Sequence, residues 1–375
     1  EALPVLWSGL RMLNLCEPAG PTPELARGYT VMAVVAGTVP VHRVADAWVK
    51  RAQDVAESVG RPSDLAYVLN RNAVCAVYQA HWQDVEAWLA RATSIVDSVG
   101  DLRLAEECRA LLNVALCYQG QFARGLPLMD WLEASAVRRG AVQTQHWAMH
   151  YRAYILLRLG EHARARVALE PALAWTEAHG GATDRIIVDG TLALLCLREG
   201  DAAGARAAAE KALVRLSAGK PVAHFVYFGA ITVAEVLLTL WARETPGPGL
   251  QALKHSARAA LKSVEDFARV FPFGEPAAWL WRGCEAWLAG RPRKAFRAWK
   301  RCIVEAEKRQ MPYEAARARL EWAGHLPPED PERAELLRRA VEDFTRLEAR
   351  EDLARAVAEQ ARLLPVAGMA EVTAG

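Results

Sequence analysis

The stretch Tyr118-Gln119-Gly120-Gln121-Phe122 sets the pattern of the chain, because similar stretches recur at a fixed step. Counted from Gly120, a small residue stands at Ala80, Gly160 and Gly200, a constant step of 40 residues. Gly290 continues the series 90 residues after Gly200. A fixed period of this length is the sequence signature of a repeat architecture.

Residue size also recurs around each turn. Nine positions after the turn stand large residues that fill gaps between helices: Leu89, Met129, Leu169 and Trp299. Seven positions before it stand small residues that let two helices cross closely: Ala73, Asn113, Ala153, Ala193 and Gly283. Antiparallel helix pairs need this alternation to pack tightly. The sequence therefore predicts an all-α fold, a right-handed superhelical solenoid of antiparallel helical hairpins.

Glycine- and proline-containing breaks divide this single predicted solenoid into units. Residues 1–20 are predicted to be the second helix of a truncated repeat, residues 350–364 a capping helix, and residues 365–375 a tail. The hairpins between them are predicted at residues 22–60, 63–100, 102–140, 142–181, 183–219, 221–271, 275–311 and 312–349. Because the chain begins at Glu1 inside a helical pattern, we expect it to be part of a longer protein without a signal peptide.

The repeat resembles the tetratricopeptide repeat (TPR), here stretched to 40 residues. The unit with Trp279, Gly283, Gly290, Ala295 and Trp299 carries most of that signature. The resemblance spans about residues 22–364, and it implies a superhelix of stacked hairpins that serves as an interaction scaffold.

A narrower resemblance concerns three stretches near the end of the chain. Phe271–Trp279, Met311–Arg317 and Asp352–Ala356 resemble the carboxy-terminal repeat region of large bacterial signalling ATPases. In that family a protein kinase or nucleotide cyclase domain and an ATPase module precede the repeats. The resemblance implies a regulatory region in bacterial signal transduction, with its catalytic domains elsewhere in the polypeptide.

Composition excludes several classes of protein. Of 375 residues, 52% are hydrophobic and 24% are charged, which excludes disorder caused by weak hydrophobicity. The 46 Lys and Arg residues nearly balance the 44 Asp and Glu residues, at a net charge of +2. This balance disfavours binding to nucleic acid or anionic lipid through overall charge. Neither a nucleic acid nor a membrane is expected as a partner.

The seven cysteines are odd in number and widely spaced, and no Cys-x-x-Cys pair occurs. They indicate reduced, buried thiols in a cytoplasmic protein. The apolar run from residue 222 to residue 241 is long enough to span a bilayer. It contains His224 and Glu235, and a helix enclosed by neighbours in a stacked array is apolar all round for the same reason. We therefore interpret it as a buried helix.

The sequence contains no P-loop, dinucleotide-binding, zinc-protease or kinase catalytic motif, and no cofactor is expected. His146 and His150 share one helix face, but no local third ligand accompanies them, so no metal site is predicted. A basic cluster from Arg291 to Arg301 is interpreted as a solvated helix face.

The first helices of successive hairpins are expected to line a concave groove. A stripe of aromatic and polar side chains at helical spacing marks that face and is the predicted site for a partner or ligand. Its members are Arg27, Tyr67, Asn70, Arg71, Tyr78, Tyr118, Trp147, His150, Tyr151, Tyr154, Arg158, Arg198, Trp281 and Trp287. The alternative is that these aromatics close a tightly wound superhelix upon itself, since aromatic stripes at helical spacing are usually core.

Three functional hypotheses follow. The first is a non-catalytic interaction scaffold that recognises a protein or peptide partner, or an adjacent domain of the same polypeptide, through the groove. The second is a sensor that encloses a small molecule or peptide in the superhelix. The third is an enzyme on a helical solenoid that uses His146, His150 and Arg152, which is disfavoured because no acid, base and nucleophile converge.

Overall fold

A computed structural model describes residues 2–39, 41–219 and 223–362, and within these ranges no residue lies in a β-strand. The all-α prediction is confirmed. Short 3₁₀ turns occupy Glu17–Ala19 and Pro272–Gly274. The described residues form eighteen α-helices: α1 (Ala2–Cys16), α2 (Pro23–Gly37), α3 (His42–Val59), α4 (Pro62–Gln79), α5 (Trp82–Val99), α6 (Leu102–Tyr118), α7 (Phe122–Arg139), α8 (Val142–Arg158), α9 (His162–His179), α10 (Ala182–Arg198), α11 (Ala202–Ser217), α12 (Val226–Arg243), α13 (Pro248–Val270), α14 (Glu275–Leu288), α15 (Pro292–Lys308), α16 (Pro312–Ala323), α17 (Pro331–Arg346) and α18 (Arg350–Ala361).

Neighbouring helices pack as hairpins, from α2 with α3 to α16 with α17. The residues of the 40-residue series form the turns inside hairpins, where Ala80, Gly120, Gly160 and Gly200 all have left-handed backbone conformations, with φ between 60° and 85°. This conformation ends a helix by satisfying its last carbonyl groups. The helical-repeat architecture predicted from the series is thus confirmed, and the exact boundaries of the units stay predictions. The predicted tail, residues 365–375, lies outside the described residues.

Helix α12 runs through the interior of the array. Among the described residues it is the one helix long and apolar enough to cross a membrane, and 83% of its length is buried inside the protein. Its Phe228 stacks on Tyr118 of α6 at 5.0 Å between ring centroids and contacts Tyr154 of α8 at 4.8 Å. On another side, Tyr227 donates a hydrogen bond to Glu314 of α16. Burial on all faces explains the continuous apolar pattern of this segment.

The array closes on itself at a seam where early hairpin turns meet the last helices. Gly120 packs against the side chain of Tyr313, and Gly160 lies against Arg350. His162, just after the Gly160 turn, lies with Nε2 at 2.9 Å from a carboxylate oxygen of Glu351 in α18. These contacts join residues separated by about half of the chain, so the superhelix is a closed body.

A buried ionic cluster centred on Glu235 of α12 ties the seam to the central helix. Glu235 accepts hydrogen bonds from Arg158 of α8 and Arg198 of α10, both at 2.8 Å, and from Arg317 of α16 at 3.2 Å. Arg317 also lies 3.7 Å from Asp352 of α18. One carboxylate thus bridges helices that are far apart in the sequence.

Glu314 is a second buried carboxyl beside this cluster, and we predict that it makes stability depend on pH. Burial raises its pKa from 4.5 to about 7, against the hydrogen bond from Tyr227. Between these pH values the unfolded chain has lost a proton that the folded chain keeps. The free energy of unfolding therefore falls by up to about 1.4 kcal/mol per pH unit as the pH rises through this window.

Glu314→Gln removes this ionisation. Relative to the parent protein, the variant should gain stability as the pH rises from 4.5 to 7, by up to about 3 kcal/mol in total. Urea unfolding of both proteins across this range measures the difference in their free energies of unfolding. Other titrating groups contribute equally to both proteins, so their contributions cancel. A difference that does not change with pH would contradict the buried, protonated state of Glu314.

Candidate functional site

The concave face holds a cavity of about 250 Å³. Its walls are the first helices of four successive hairpins, α4, α6, α8 and α10, together with the segment just before α12. Its lining residues are Asn70, Arg71, Val74, Glu107, Ala110, Leu111, Val114, Trp147, His150, Tyr151, Asp184, Ile187, His224 and Phe225. A largely apolar cavity with a few convergent polar groups is the usual form of a small-molecule site.

Five residues of the predicted stripe meet in this cavity: Asn70, Arg71, Trp147, His150 and Tyr151. They come from α4 and α8, at positions that the helical period places on the inner face. Trp147 and Arg71 are half-buried, whereas the other three side chains are buried. The stripe therefore contains one coherent group of residues around a space.

Two further members of the stripe, Arg27 and Tyr67, do not line the cavity but stack beside Arg71. Tyr67 is covered by two guanidinium groups, Arg27 at 5.3 Å and Arg71 at 5.1 Å from the ring centroid. Arg27 also forms an ion pair with the buried Asp64 at 2.8 Å. This stack fixes Arg71, the residue that reaches the cavity.

The seven remaining members of the stripe do not line an open groove, and the groove prediction is corrected for them. They pack inside the closed superhelix instead, against α12, against α16, or against the segments that follow α13 and α16. Tyr118 donates a hydrogen bond to the carbonyl oxygen of His224 at 2.9 Å, and Trp287 stacks on His325 at 3.9 Å. The others are Tyr78 against Phe271, Tyr154 against Phe228, Arg158 and Arg198 on Glu235, and Trp281 under Arg317.

Four important wall residues were missed from the sequence: Glu107, Asp184, His224 and Phe225. Asp184 caps the start of α10, where its carboxylate accepts a hydrogen bond from the backbone N–H of Gly181 at 3.0 Å. His224 and Phe225 enter the cavity because the segment before α12 crosses the concave face. The sequence signal for this crossing was the apolar run from residue 222 to residue 241. That run is longer than a helix with one buried face requires.

Charge around the cavity is unevenly paired. On the α4–α6 side, Arg71 donates to Glu107 at 2.8 Å and to Asn70 at 3.1 Å, and Arg103 donates to Glu107 at 3.3 Å. Two guanidinium groups therefore share one carboxylate on this side, so the network keeps an excess of positive charge and has donor capacity left on the arginines.

The imidazole groups near the cavity are neutral at physiological pH. Burial lowers the pKa of His146 to about 4 and that of His224 to about 3. Burial and the neighbouring His146 lower the pKa of His150 as well. These side chains offer hydrogen-bonding nitrogens and ring faces without adding positive charge.

His146 and His150, the pair considered as a catalytic or metal site, pack against each other and against neighbouring side chains. The His146 and His150 rings lie 4.9 Å apart, and His146 stacks on Trp175 at 4.2 Å. Arg152 pairs instead with Asp130 and Glu133 of α7. Across the part of the chain that the structure describes, no group of three or more His, Cys, Asp or Glu side chains could hold a metal ion.

The basic cluster lies around a groove between α13, α14 and α15. Two of its cations are paired: Arg291 with Glu285, and Arg301 with Glu305 at 2.6 Å. The groove is separate from the concave cavity and shares no lining residue with it.

Comparisons with known proteins add little to this geometry. No protein-family model matches the sequence, and no curated protein matches it. Among solved structures, the chain is similar to the human IFIT1 dimer with m7Gppp-AAAA, at 13% identity over 90% of this chain and 80% of that chain, with a TM-score of 0.42. It is similar to a circular tandem repeat protein, at 15% identity over 91% of this chain and 84% of that one, with a TM-score of 0.22. A third similarity is to Naa15/Naa10 bound to HypK-THB, at 12% identity, coverages of 96% and 78%, and a TM-score of 0.20. Values this low carry no inference about function.

Proposed function

We propose that this chain is a non-catalytic, cytoplasmic sensor module that binds a small molecule or the end of a peptide in its concave cavity. The observation that supports this proposal is the cavity itself, because the protein's own helices leave this part of the predicted groove empty. Because the rest of the groove is filled by the protein itself, a compact ligand fits better than the extended peptide that an open groove would accept.

Binding in this cavity has a structural route to the rest of the molecule. A ligand there contacts four hairpins and also Phe225, which directly precedes α12. Helix α12 is joined through Glu235 to α16, which contacts α18 in turn. We propose that ligand binding changes how the two sides of the seam pack together. An attached effector domain of a bacterial signalling protein would respond to this change.

Ligand binding should stabilise the protein and should depend on Trp147. Fragment-sized aromatic and aliphatic compounds that bind should raise the melting temperature in thermal-shift measurements, since a ligand at 100 times its Kd adds about 2.7 kcal/mol. Trp147→Ala should abolish these shifts because the half-buried indole forms a cavity wall. Trp287→Ala is the matched control, because Trp287 is also half-buried but stacks on His325 away from the cavity.

Two results would contradict the proposal. One is a compound collection that produces no shift with the parent protein. The other is binding that persists unchanged in Trp147→Ala, since the ligand would then occupy another part of the surface.

A further inference from the structure

Asp184 is a charged wall residue of the cavity without a cationic partner. Its nearest basic group among the described residues is His146, with Nε2 at 3.9 Å from the carboxylate. Since His146 is neutral at physiological pH, the negative charge of Asp184 is not compensated by a side chain. Glu107, the other carboxylate of the wall, is paired with Arg71 and Arg103.

Aromatic side chains form part of the same cavity wall as Asp184. Trp147 and Tyr151 come from α8, and Phe225 comes from the segment that crosses the concave face. Negative aromatic faces next to a carboxylate form an environment that attracts an organic cation. Positive charge on a ligand would gain from both features at once.

His150 is a buried wall residue with an unsatisfied ring nitrogen. Its side chain is 1% exposed and it lines the cavity, yet its Nδ1 atom has no hydrogen-bond partner. A buried polar atom without a partner costs about 1–3 kcal/mol, so such atoms normally have one. The body of a ligand can lie against this imidazole ring and against Ile187 and Val114.

Building on the proposed function, we infer that the cavity selects a primary amine in its cationic form on an aromatic body. The ammonium group binds Asp184 and the neighbouring aromatic faces, and the ring occupies the apolar part of the cavity. A free aromatic amine and the amino terminus of a peptide that begins with an aromatic residue share this chemistry.

Three indole probes with the same two-carbon linker separate the effect of charge: tryptamine, which is cationic, tryptophol, which is neutral, and indole-3-propionate, which is anionic. Isothermal titration calorimetry at pH 7 should show tryptamine binding at least about 10-fold more tightly than tryptophol, since a partly buried charge pair with cation–π contacts supplies this much. Indole-3-propionate should bind more weakly than tryptamine, because Asp184 repels its carboxylate and the cation of the wall, Arg71, is already engaged by Glu107.

The variant Asp184→Asn tests the assigned residue. Its side-chain oxygen still accepts the cap hydrogen bond from Gly181, but it carries no charge. Tryptamine affinity should fall about 10-fold, to the level of tryptophol, and tryptophol affinity should change less than about 2-fold. Asp201→Asn is the control, because Asp201 likewise caps the start of its helix, α11, and does not line the cavity.

The outcomes distinguish this inference from the proposed function. Equal binding of tryptamine and tryptophol, abolished for both by Trp147→Ala, would overturn the cation selectivity and leave the sensor proposal standing. No binding of any of the three probes would overturn the inference. A tripeptide amide that begins with tryptophan then distinguishes the two sources. If it binds more tightly than tryptamine, and acetylation of its amino terminus abolishes binding, the natural ligand is a peptide. Weaker binding of that peptide identifies a free amine.

Discussion

Glu235→Gln is expected to lower the free energy of unfolding by about 3–5 kcal/mol, the loss that follows when one partner of a buried ion pair is removed. Burial alone would raise the pKa of Glu235, but the charges of Arg158, Arg317 and Arg198 outweigh it and lower this pKa. The carboxylate is therefore ionised in the folded protein. Glutamine keeps its shape but leaves these arginines without their shared counter-charge.

Glu57→Gln supplies the matched control for this prediction. Glu57 pairs with Arg91 at 2.9 Å, but both side chains are more than 40% exposed, so the loss should stay below about 1 kcal/mol. Urea unfolding followed by circular dichroism measures both variants. Equal losses would contradict the burial of the Glu235 cluster at the centre of a closed array.

Phe228→Ala is expected to cost about 3–5 kcal/mol, the usual range for removing a fully buried aromatic ring. The Phe228 ring is inaccessible to solvent and contacts Tyr118, Tyr151 and Tyr154, so these three rings would face a void. Because Tyr151 also lines the ligand cavity, the void would adjoin it. We therefore expect weaker ligand binding together with lower stability.

The control for Phe228→Ala is Trp7→Ala, since Trp7 in α1 is 61% exposed. Its loss should be within about 0.5 kcal/mol, as for most surface substitutions. The shift of the urea midpoint is the measurement. If Phe228→Ala is as mild as this control, then α12 does not fill the interior of the superhelix in solution.

The fold was predictable because its signals are local. A small residue at Gly120 or Gly160 ends one helix with a left-handed turn, and residues such as Leu89 and Met129 fill the space between helices. Each signal lies within one hairpin, so repetition makes it readable without knowledge of distant contacts.

The site was only partly predictable because it depends on distant contacts. The helical period placed Trp147 and Tyr151 on the concave face, and they do line the cavity. Periodicity cannot say what lies opposite that face, however, since the curvature of the array is the sum of small rotations between units. Tyr118 and Arg158 fit the same pattern, but α12 covers them.

One sequence feature did point to this closure. Glu235 stands alone in an apolar helix, and a buried carboxylate requires cationic partners. Arg158 and Arg198 occupy equivalent positions two residues before Gly160 and Gly200, so the 40-residue step itself supplies two of the partners. A charge in an apolar repeat helix therefore indicates contact with the inner face of other repeats.

Closure of the superhelix is the central claim, and the distance across its seam tests it most directly. Arg164 and Arg350 are exposed on the two sides of the seam, near the contact of Gly160 with Arg350. Spin labels carried by non-natural amino acids at these two positions leave the native cysteines untouched, and pulsed electron paramagnetic resonance measures their separation. A closed array gives one narrow distance below about 25 Å, since Arg164 lies about one helical turn from the contact. An open superhelix with helices packed 8–10 Å apart would separate the labels by about 40 Å or more, and that result would contradict the closed structure.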